Sequence, residues 1–139
     1  MNALINLYHS GQMSKVVQAC KELLQIYPQS LIAFNALGAA LAGQGQLQPA
    51  LQVFDQVIQL KPDDAEAHSN RGNALQELGQ LEAAVDSYDQ AIQIQPDYAQ
   101  AYSNLGGALT ELGQLLEAAV DSCNTVSYTH LTLPTSDLV

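Results

Sequence analysis

The feature that most constrains the fold of this chain is internal repetition at a spacing of 34 residues. Three series of residues recur at this interval: Pro28, Pro62 and Pro96; Gly11, Gly45, Gly79 and Gly113, each followed by Gln; and Gly38, Gly72 and Gly106. A period of this length is typical of a small unit that cannot bury its own apolar face and must stack on its neighbours. The sequence therefore predicts a row of similar units in which each contacts only the next.

Each unit is predicted to contain two helices, most clearly in residues 65–98. Gly79 favours the left-handed turn that ends a first helix, and Pro96 stops a second helix predicted from Leu81 to Ile94. Gly72 lies in the middle of the first helix, where glycine costs about 1 kcal/mol relative to alanine. Its recurrence predicts that a neighbouring helix packs closely there. The inner stripe of the first helix follows helical spacing at Ala67, Asn70, Arg71, Ala74, Leu75 and Leu78.

The charge balance argues against several classes of partner. The net charge is −10, and the four basic residues, Lys15, Lys21, Lys61 and Arg71, are scattered along the sequence. Nucleic acids and anionic membranes attract clustered Lys and Arg, so we expect neither as a partner. No apolar run approaches the roughly 18 residues of a membrane span, and no secretion signal opens the sequence. We therefore expect a cytoplasmic protein.

No constellation of residues predicts catalysis or a cofactor. The histidines lack partners at metal-ligand spacing, and no Gly-rich stretch has the flanking residues of a phosphate-binding loop. Cys20 and Cys123 are far apart and are both expected to be small buried apolar residues. Asp63 and Asp64 follow Pro62, where they fit either a helix start or, less simply, calcium ligation. We expect a non-enzyme without metal, cofactor or small-molecule substrate.

The repeat resembles the tetratricopeptide repeat, whose pattern it follows in residues 1 to about 124. The matching positions of the third unit are His68, Arg71, Gly72, Leu75, Ala84, Tyr88, Ala91 and Pro96, with Arg71 in place of the usual Leu. The long stem of this Arg is expected to pack while its head reaches solvent. The resemblance implies an all-α, right-handed α-solenoid of antiparallel helix pairs with about three and a half repeats. The predicted units are residues 1–30 (partial), 31–64, 65–98 and 99–125 (truncated).

In this family the first helices of the repeats line a concave groove that holds extended peptides or partner helices. The resemblance thus implies a protein or peptide partner and a groove formed by Asn2, Asn35, Asn70, Asn73, Gln76, Asn104 and Thr110. One repeated groove position holds Asn2, Ala36, Asn70 and Asn104, and such a ladder resembles the repeat region of O-linked N-acetylglucosamine transferases. An Asn amide matches a peptide unit because it both donates and accepts. The alternative is that Asn is merely a tolerated polar residue there.

Further groove positions include Glu77 and Glu111, and none of these positions holds Lys or Arg. The family's clamp for a C-terminal carboxylate requires such basic residues, so we expect chaperone tails of that type not to bind. The predicted function is a protein-interaction scaffold. The alternative is the targeting arm of a larger enzyme, such as a glycosyltransferase, methyltransferase or sulfotransferase, whose catalytic domain lies outside this sequence.

The repeat pattern breaks near the C-terminus. "GQLLEAAV" carries one Leu more than "GQLEAAV", at Leu115 or Leu116, and the regular pattern stops after Asn124. We expect the Gly113 turn to absorb the extra residue. Residues 126–139 begin "VSYTHLTLPT" and resemble one translated reading frame of a transposase library-preparation adapter. They are predicted to be an unstructured sequencing scar, and the chain a piece of a longer solenoid.

Overall fold

The computed structural model describes the backbone of residues 11–138 and the side chains of residues 11–123. Within those limits the chain forms six helices and no strands. They are α1 (Met13–Ile26), α2 (Leu31–Gly43), α3 (Leu47–Leu60), α4 (Ala65–Glu77), α5 (Leu81–Ile94) and α6 (Ala99–Leu138). Each helix packs on the next in sequence, and α2, α4 and α6 also touch one another in turn. The predicted all-α solenoid is confirmed.

The turns inside the helix pairs depend on glycine. Gly45 and Gly79 have φ values of +78° and +80°, in the left-handed region that residues with a Cβ rarely adopt. In the second of these turns the N–H of Gln80 donates to the carbonyl of Leu75 at 2.9 Å, which satisfies an acceptor at the helix end. The repeated Gly-Gln pair therefore fixes where the first helix of these two pairs ends.

The turns between helix pairs end in side-chain caps. The Ser30 hydroxyl accepts a hydrogen bond from the N–H of Ala33 at 3.3 Å, and Asp64 Oδ1 accepts from the N–H of Ala67 at 3.0 Å. Such caps satisfy amides that have no partner within the helix, and each contributes about 1 kcal/mol. Asp64 thus takes the helix-start role that the sequence predicted for it.

Aromatic side chains of the second helices fill the space above the mid-helix glycines. The Phe54 ring lies against Gly38, and a Cβ built on Gly72 would lie 2.6 Å from Cε1 of Tyr88. Both aromatic side chains are fully buried, as is Cys20. The close approach predicted at these glycines is confirmed, and so is the burial of Cys20.

Arg71 differs from its predicted role. Its Nε donates to Asp55 Oδ1 at 2.7 Å, and its Nη1 donates to the Ser87 hydroxyl at 2.7 Å. The guanidinium head therefore links α3 to α5 instead of simply reaching solvent. Because Ser87 is buried, its hydroxyl needs a partner, and Arg71 supplies one.

The fourth unit departs most from the prediction. Helix α6 continues through Gly113, which has no positive φ, and its backbone remains helical to Leu138. No turn absorbs the extra Leu, the backbone of residues 126–138 is helical rather than unstructured, and Cys123 is exposed rather than buried. In the second and third repeats, closing the helix pair buries an aromatic residue, Phe54 or Tyr88, at the position where α6 has the smaller Cys123. Extending an existing helix, in contrast, carries no nucleation cost.

No helix in residues 11–138 combines the length and the apolar character that crossing a membrane would require.

Candidate functional site

The inner surface of the solenoid carries a polar depression between α4 and α6. Its volume is about 470 Å³, and it is lined by Asn73, Gln76, Glu77, Gln100, Asn104 and Glu111. The first four turns of α6 present Gln100, Asn104 and Glu111, and the end of α4 presents the other three. The depression lies between two neighbouring repeats, so stacking of the repeats creates it.

A chain of side-chain amides connects the two repeats across this depression. Asn104 Nδ2 donates to Asn73 Oδ1 at 2.9 Å, and Gln100 Nε2 donates to Asn104 Oδ1 at 3.0 Å. The Tyr88 hydroxyl, which reaches the depression from α5, lies 2.7 Å from the same Asn73 oxygen. Asn73 Nδ2 makes no hydrogen bond within the described side chains, so it can donate to a ligand.

A second group of bonds orients the acidic side of the depression. Gln76 Nε2 donates to Glu111 Oε1 at 2.6 Å, and Gln76 Oε1 lies 2.9 Å from the Tyr88 hydroxyl. The hydroxyl has one hydrogen and so donates to either Asn73 or Gln76 at a given moment. At any moment Tyr88 therefore holds one of these two amides in place from beneath.

Tyr88 links the repeat core to this polar surface. Its ring fills the space above Gly72, while its hydroxyl bonds to groove amides. Burial raises the pKa of Tyr88 to about 12, and the negative charges of Glu111 and Glu77 contribute to the rise. The phenol thus stays protonated at neutral pH and serves as a hydrogen-bond donor. Tyr88 therefore packs in the core of the third repeat and also orients side chains that line the depression.

The structure brings together three of the predicted groove residues and separates the others. Asn73, Gln76 and Asn104 line the depression. Asn70 is half-buried on α4 outside the lining, and within the described region its side chain makes no hydrogen bond. The Thr110 hydroxyl is exposed and donates to the carbonyl of Gly106 at 2.8 Å, within its own helix. Asn2 lies outside the described residues.

Asn35 occupies a position that differs from the predicted one. It is 8% exposed, and its Nδ2 lies 3.4 Å from Oδ2 of Asp64, the residue that caps α4. Its Oδ1 is buried without a hydrogen-bond partner in the described part of the chain. Asn35 therefore supports a helix start between two repeats and is not placed on the groove surface.

The sequence prediction did not include Gln100 or the Tyr88 hydroxyl. Gln100 precedes Asn104 by one helical turn, and this i, i+4 amide pair is a signal that could have identified it. Nothing in the sequence indicated that the Tyr88 hydroxyl would reach the inner surface, because its ring position matched a core residue of the repeat. Only the depth of the ring above Gly72 places its oxygen there.

The depression suits neutral or positively charged ligand groups. Its lining contains two carboxylates and no Lys or Arg. Across residues 11–123, moreover, no three His, Cys, Asp or Glu side chains come together as a group that could hold a metal ion. The hydrogen-bonding groups of the depression are amides, a phenol and carboxylates.

Comparison with known families assigns the repeat. The family model for the TPR repeat matches residues 40–79 and again residues 72–113, which together make up more than half of the chain. The chain belongs to the TPR family. The resemblance seen in the repeated Gly, aromatic and Pro positions is therefore confirmed. No curated protein matches the sequence significantly.

Solved structures of TPR domains share the fold of this chain. The Sgt2 TPR domain of Aspergillus fumigatus superimposes with a TM-score of 0.80 at 18% identity, covering 85% of this chain and 80% of that one. The first TPR of Spaghetti (RPAP3), bound to the HSP90 peptide SRMEEVD, gives 0.75 at 17% identity, covering 81% and 89%. A mutant O-GlcNAc transferase of Thermobaculum terrenum gives 0.68 at 34% identity, covering 78% of this chain but 22% of that one.

Proposed function

We propose that this TPR chain is a non-catalytic scaffold that binds an extended peptide or a partner helix on its inner surface. The observation that carries the proposal is the amide network from Gln100 through Asn104 and Asn73 to Tyr88. It crosses the boundary between two repeats and leaves Asn73 Nδ2 available for a ligand. A TPR domain of similar fold, that of Spaghetti, is bound to a peptide, which supports peptide binding by this chain.

The chemistry of the network favours recognition of peptide backbone. Each amide presents a donor and an acceptor, which pair with the C=O and N–H of an extended strand whatever its side chains are. The network holds these amides in one orientation before a ligand arrives, and preorganisation of this kind lowers the entropy lost on binding. We propose Asn70, on the same helix, as a further contact for a longer peptide.

The charge of the depression indicates which charge its peptide ligand should carry. The SRMEEVD peptide bound by Spaghetti ends in four acidic groups within four residues, counting its terminal carboxylate. Glu77 and Glu111 would repel such a tail, and no basic side chain lines the depression to neutralise it. We propose that the ligand is a neutral or basic segment rather than an acidic C-terminal tail.

A binding experiment tests this proposal. Peptides that bind the full chain are selected from a random library and measured by fluorescence polarisation against the double variant Asn70→Ala, Asn104→Ala. Each lost backbone bond is expected to cost about 0.5–1.5 kcal/mol in binding free energy. Gln90→Ala, an exposed amide on α5, is the matched control and leaves the affinity unchanged. Equal affinity for the double variant and the control would contradict the proposed groove.

The same assay tests the charge argument. The SRMEEVD peptide is expected to bind more weakly than its amide counterpart SRMQQVN with an amidated C-terminus. The variant Glu77→Gln, Glu111→Gln reduces this difference, whereas Glu82→Gln, an exposed carboxylate on α5, leaves it unchanged. Preference of the unmodified chain for SRMEEVD would contradict the proposed selectivity.

A second candidate function is the substrate-recruiting arm of a larger enzyme. It is favoured by the 34% identity to the Thermobaculum terrenum O-GlcNAc transferase, of which this chain matches about a fifth. A glycosyltransferase is thus the enzyme class best supported, ahead of a methyltransferase or sulfotransferase. The intact genomic reading frame beyond residue 124 decides the matter, because a catalytic domain there would establish the arm. It would also show whether residues 126–139 belong to the gene.

A further inference from the structure

Helix α6 has an empty space where the second and third repeats are filled. In the third repeat the Tyr88 ring fills the space above Gly72, and in the second the Phe54 ring fills that above Gly38. A Cβ built on Gly106, the equivalent glycine of α6, would meet no atom within 4 Å. The neighbouring Leu109 is 49% exposed, although its counterpart Leu75 is 3% exposed. The surface that normally receives a second helix is therefore open.

The segment that would fill this space is present in α6 but points into solvent. Residues 116–123, "LEAAVDSC", repeat "LEAAVDSY" of residues 81–88 with one change, Cys123 for Tyr88. Leu81 is 5% exposed in its helix pair, whereas Leu116 is 56% exposed. Val120 and Cys123 are exposed as well. The chain thus carries an unfilled apolar surface and the matching apolar segment on one continuous helix.

The two halves cannot meet within one helix. Cys123 lies 17 residues after Gly106, so a continuous helix separates the two positions by about 25 Å along its axis. They would meet in one chain only if Gly113 adopted the left-handed turn seen at Gly45 and Gly79, and it does not. In contrast, the α6 helix of a second copy, running antiparallel to the first, brings the two positions together without a turn at Gly113.

We propose that two copies of this chain form a domain-swapped dimer through α6, in which residues 116–123 of each copy pack on residues 106–113 of the other. In an antiparallel pair of α6 helices with a two-fold axis at Gln114–Leu115, Cys123 of one copy lies opposite Gly106 of the other, and the reverse holds by symmetry. The interface is isologous, as closed dimers require. It restores, between chains, the helix pair that α4 and α5 form within one chain.

The extra Leu of this region fits the proposal. In the second and third repeats the Gly-Gln pair is followed by one Leu, and in α6 by Leu115 and Leu116. One inserted residue shifts the phase of a helix by about 100°, which a tight turn must absorb and an antiparallel pair of helices need not. The dimer buries Leu109 and Leu116 of both copies, whereas in the single chain each of these two side chains is about half exposed.

A disulfide experiment on the full chain distinguishes pairing between two chains from pairing within one chain. Gly106→Cys places a thiol opposite Cys123, and Gly107→Cys, one position around the helix, is the matched control. Cys20 is fully buried and its pKa is raised to about 11, so it does not interfere under mild oxidation. We expect Gly106→Cys to give a covalent dimer on a non-reducing gel, and Gly107→Cys to give little.

The other outcomes overturn the proposal. An intrachain disulfide in Gly106→Cys would show that the pair closes within one chain. Absence of a disulfide, or equal dimer formation by both variants, would show that this surface is not paired with residue 123.

Sedimentation provides a second test that needs no cross-link. A larger side chain in Gly106→Leu has free space in the single chain but collides with the incoming helix, so the dimer dissociation constant rises roughly tenfold or more. Gly107→Ala, whose Cβ meets only Gln76 Nε2 at 3.7 Å, leaves that constant unchanged. An unmodified chain that stays monomeric at every concentration would contradict the dimer.

Discussion

The third repeat and helix α6 have nearly the same sequence and different structures. Gly79 and Gln80 form a turn before Leu81 starts α5, whereas the same Gly-Gln-Leu residues at 113–115 lie inside a helix. The local signal is therefore insufficient to fold the chain back. What differs is the second helix: α5 buries Tyr88 above Gly72, and the equivalent segment of α6 offers only Cys123. The comparison teaches that the Gly-Gln pair alone does not specify a turn and that packing of the following helix contributes. An aromatic residue is not required for it, because Gly11 has a φ of +74° although the following helix, α1, carries the buried Cys20 at the position of Tyr88.

Removal of the aromatic residue from the third repeat is the strongest test of this comparison. Tyr88→Ala is expected to lower the free energy of unfolding by about 3–5 kcal/mol, because it empties a fully buried site. Cys123→Ala, at the equivalent but exposed position, changes it by less than about 0.5 kcal/mol. Urea denaturation of both variants provides the measurement. Similar losses would show that Cys123 is packed as Tyr88 is.

Hydrogen exchange compares the two regions without mutation. At concentrations where the chain is monomeric, amides of residues 116–123 are expected to open with a free energy about 3 kcal/mol below those of α5. The reason is that Leu109 and Leu116 lack the burial that stabilises their counterparts, worth about 1.5–3 kcal/mol for each side chain. Protection in residues 116–123 equal to that in α5 would contradict a monomer in which this segment is exposed. Protection that rises with concentration would instead report the dimer.

The pH dependence of stability tests how much the buried Tyr88 hydroxyl contributes. Its pKa is about 12 in the folded chain and 10 in the reference state, so the unfolded chain loses the proton first as pH rises. Stability is therefore fully present below pH 10 and falls by about 2–3 kcal/mol towards pH 12. Tyr88→Phe, measured by denaturation across this range, should remove the additional fall. An unchanged fall in that variant would assign it to other groups.

Alanine at the equivalent glycines should act in opposite directions. Gly72→Ala forces a Cβ into the Tyr88 ring and is expected to cost about 1–3 kcal/mol. Gly106→Ala meets no atom and gains about 1 kcal/mol of helix propensity in the monomeric chain. Thermal unfolding of both variants checks the signs. A destabilised Gly106→Ala monomer would indicate that a helix already covers this surface.

The groove was only partly accessible to sequence reasoning. Asn73, Gln76 and Asn104 were predicted because the resemblance to the tetratricopeptide repeat implies which side of a first helix faces the groove, and they do line the depression. Asn35 sits one position away from the repeated Asn place, and a shift of one residue rotates a side chain by about 100°. It consequently lies buried against Asp64. Gln100 and Tyr88 join the site through contacts between helices, which spacing alone does not reveal.

The sequence by itself determined the repeat, its family, the bounds of the helix Leu81–Ile94 and the scarcity of basic groups. These follow from local chemistry: glycine supplies the turn, proline stops the helix, and period sets the buried stripe. The tertiary structure alone decided that Gly113 stays helical, that Cys123 is exposed and that Tyr88 organises the depression. Each of these depends on how much surface is buried between segments distant along the chain, and burial of that kind is a property of the packed molecule.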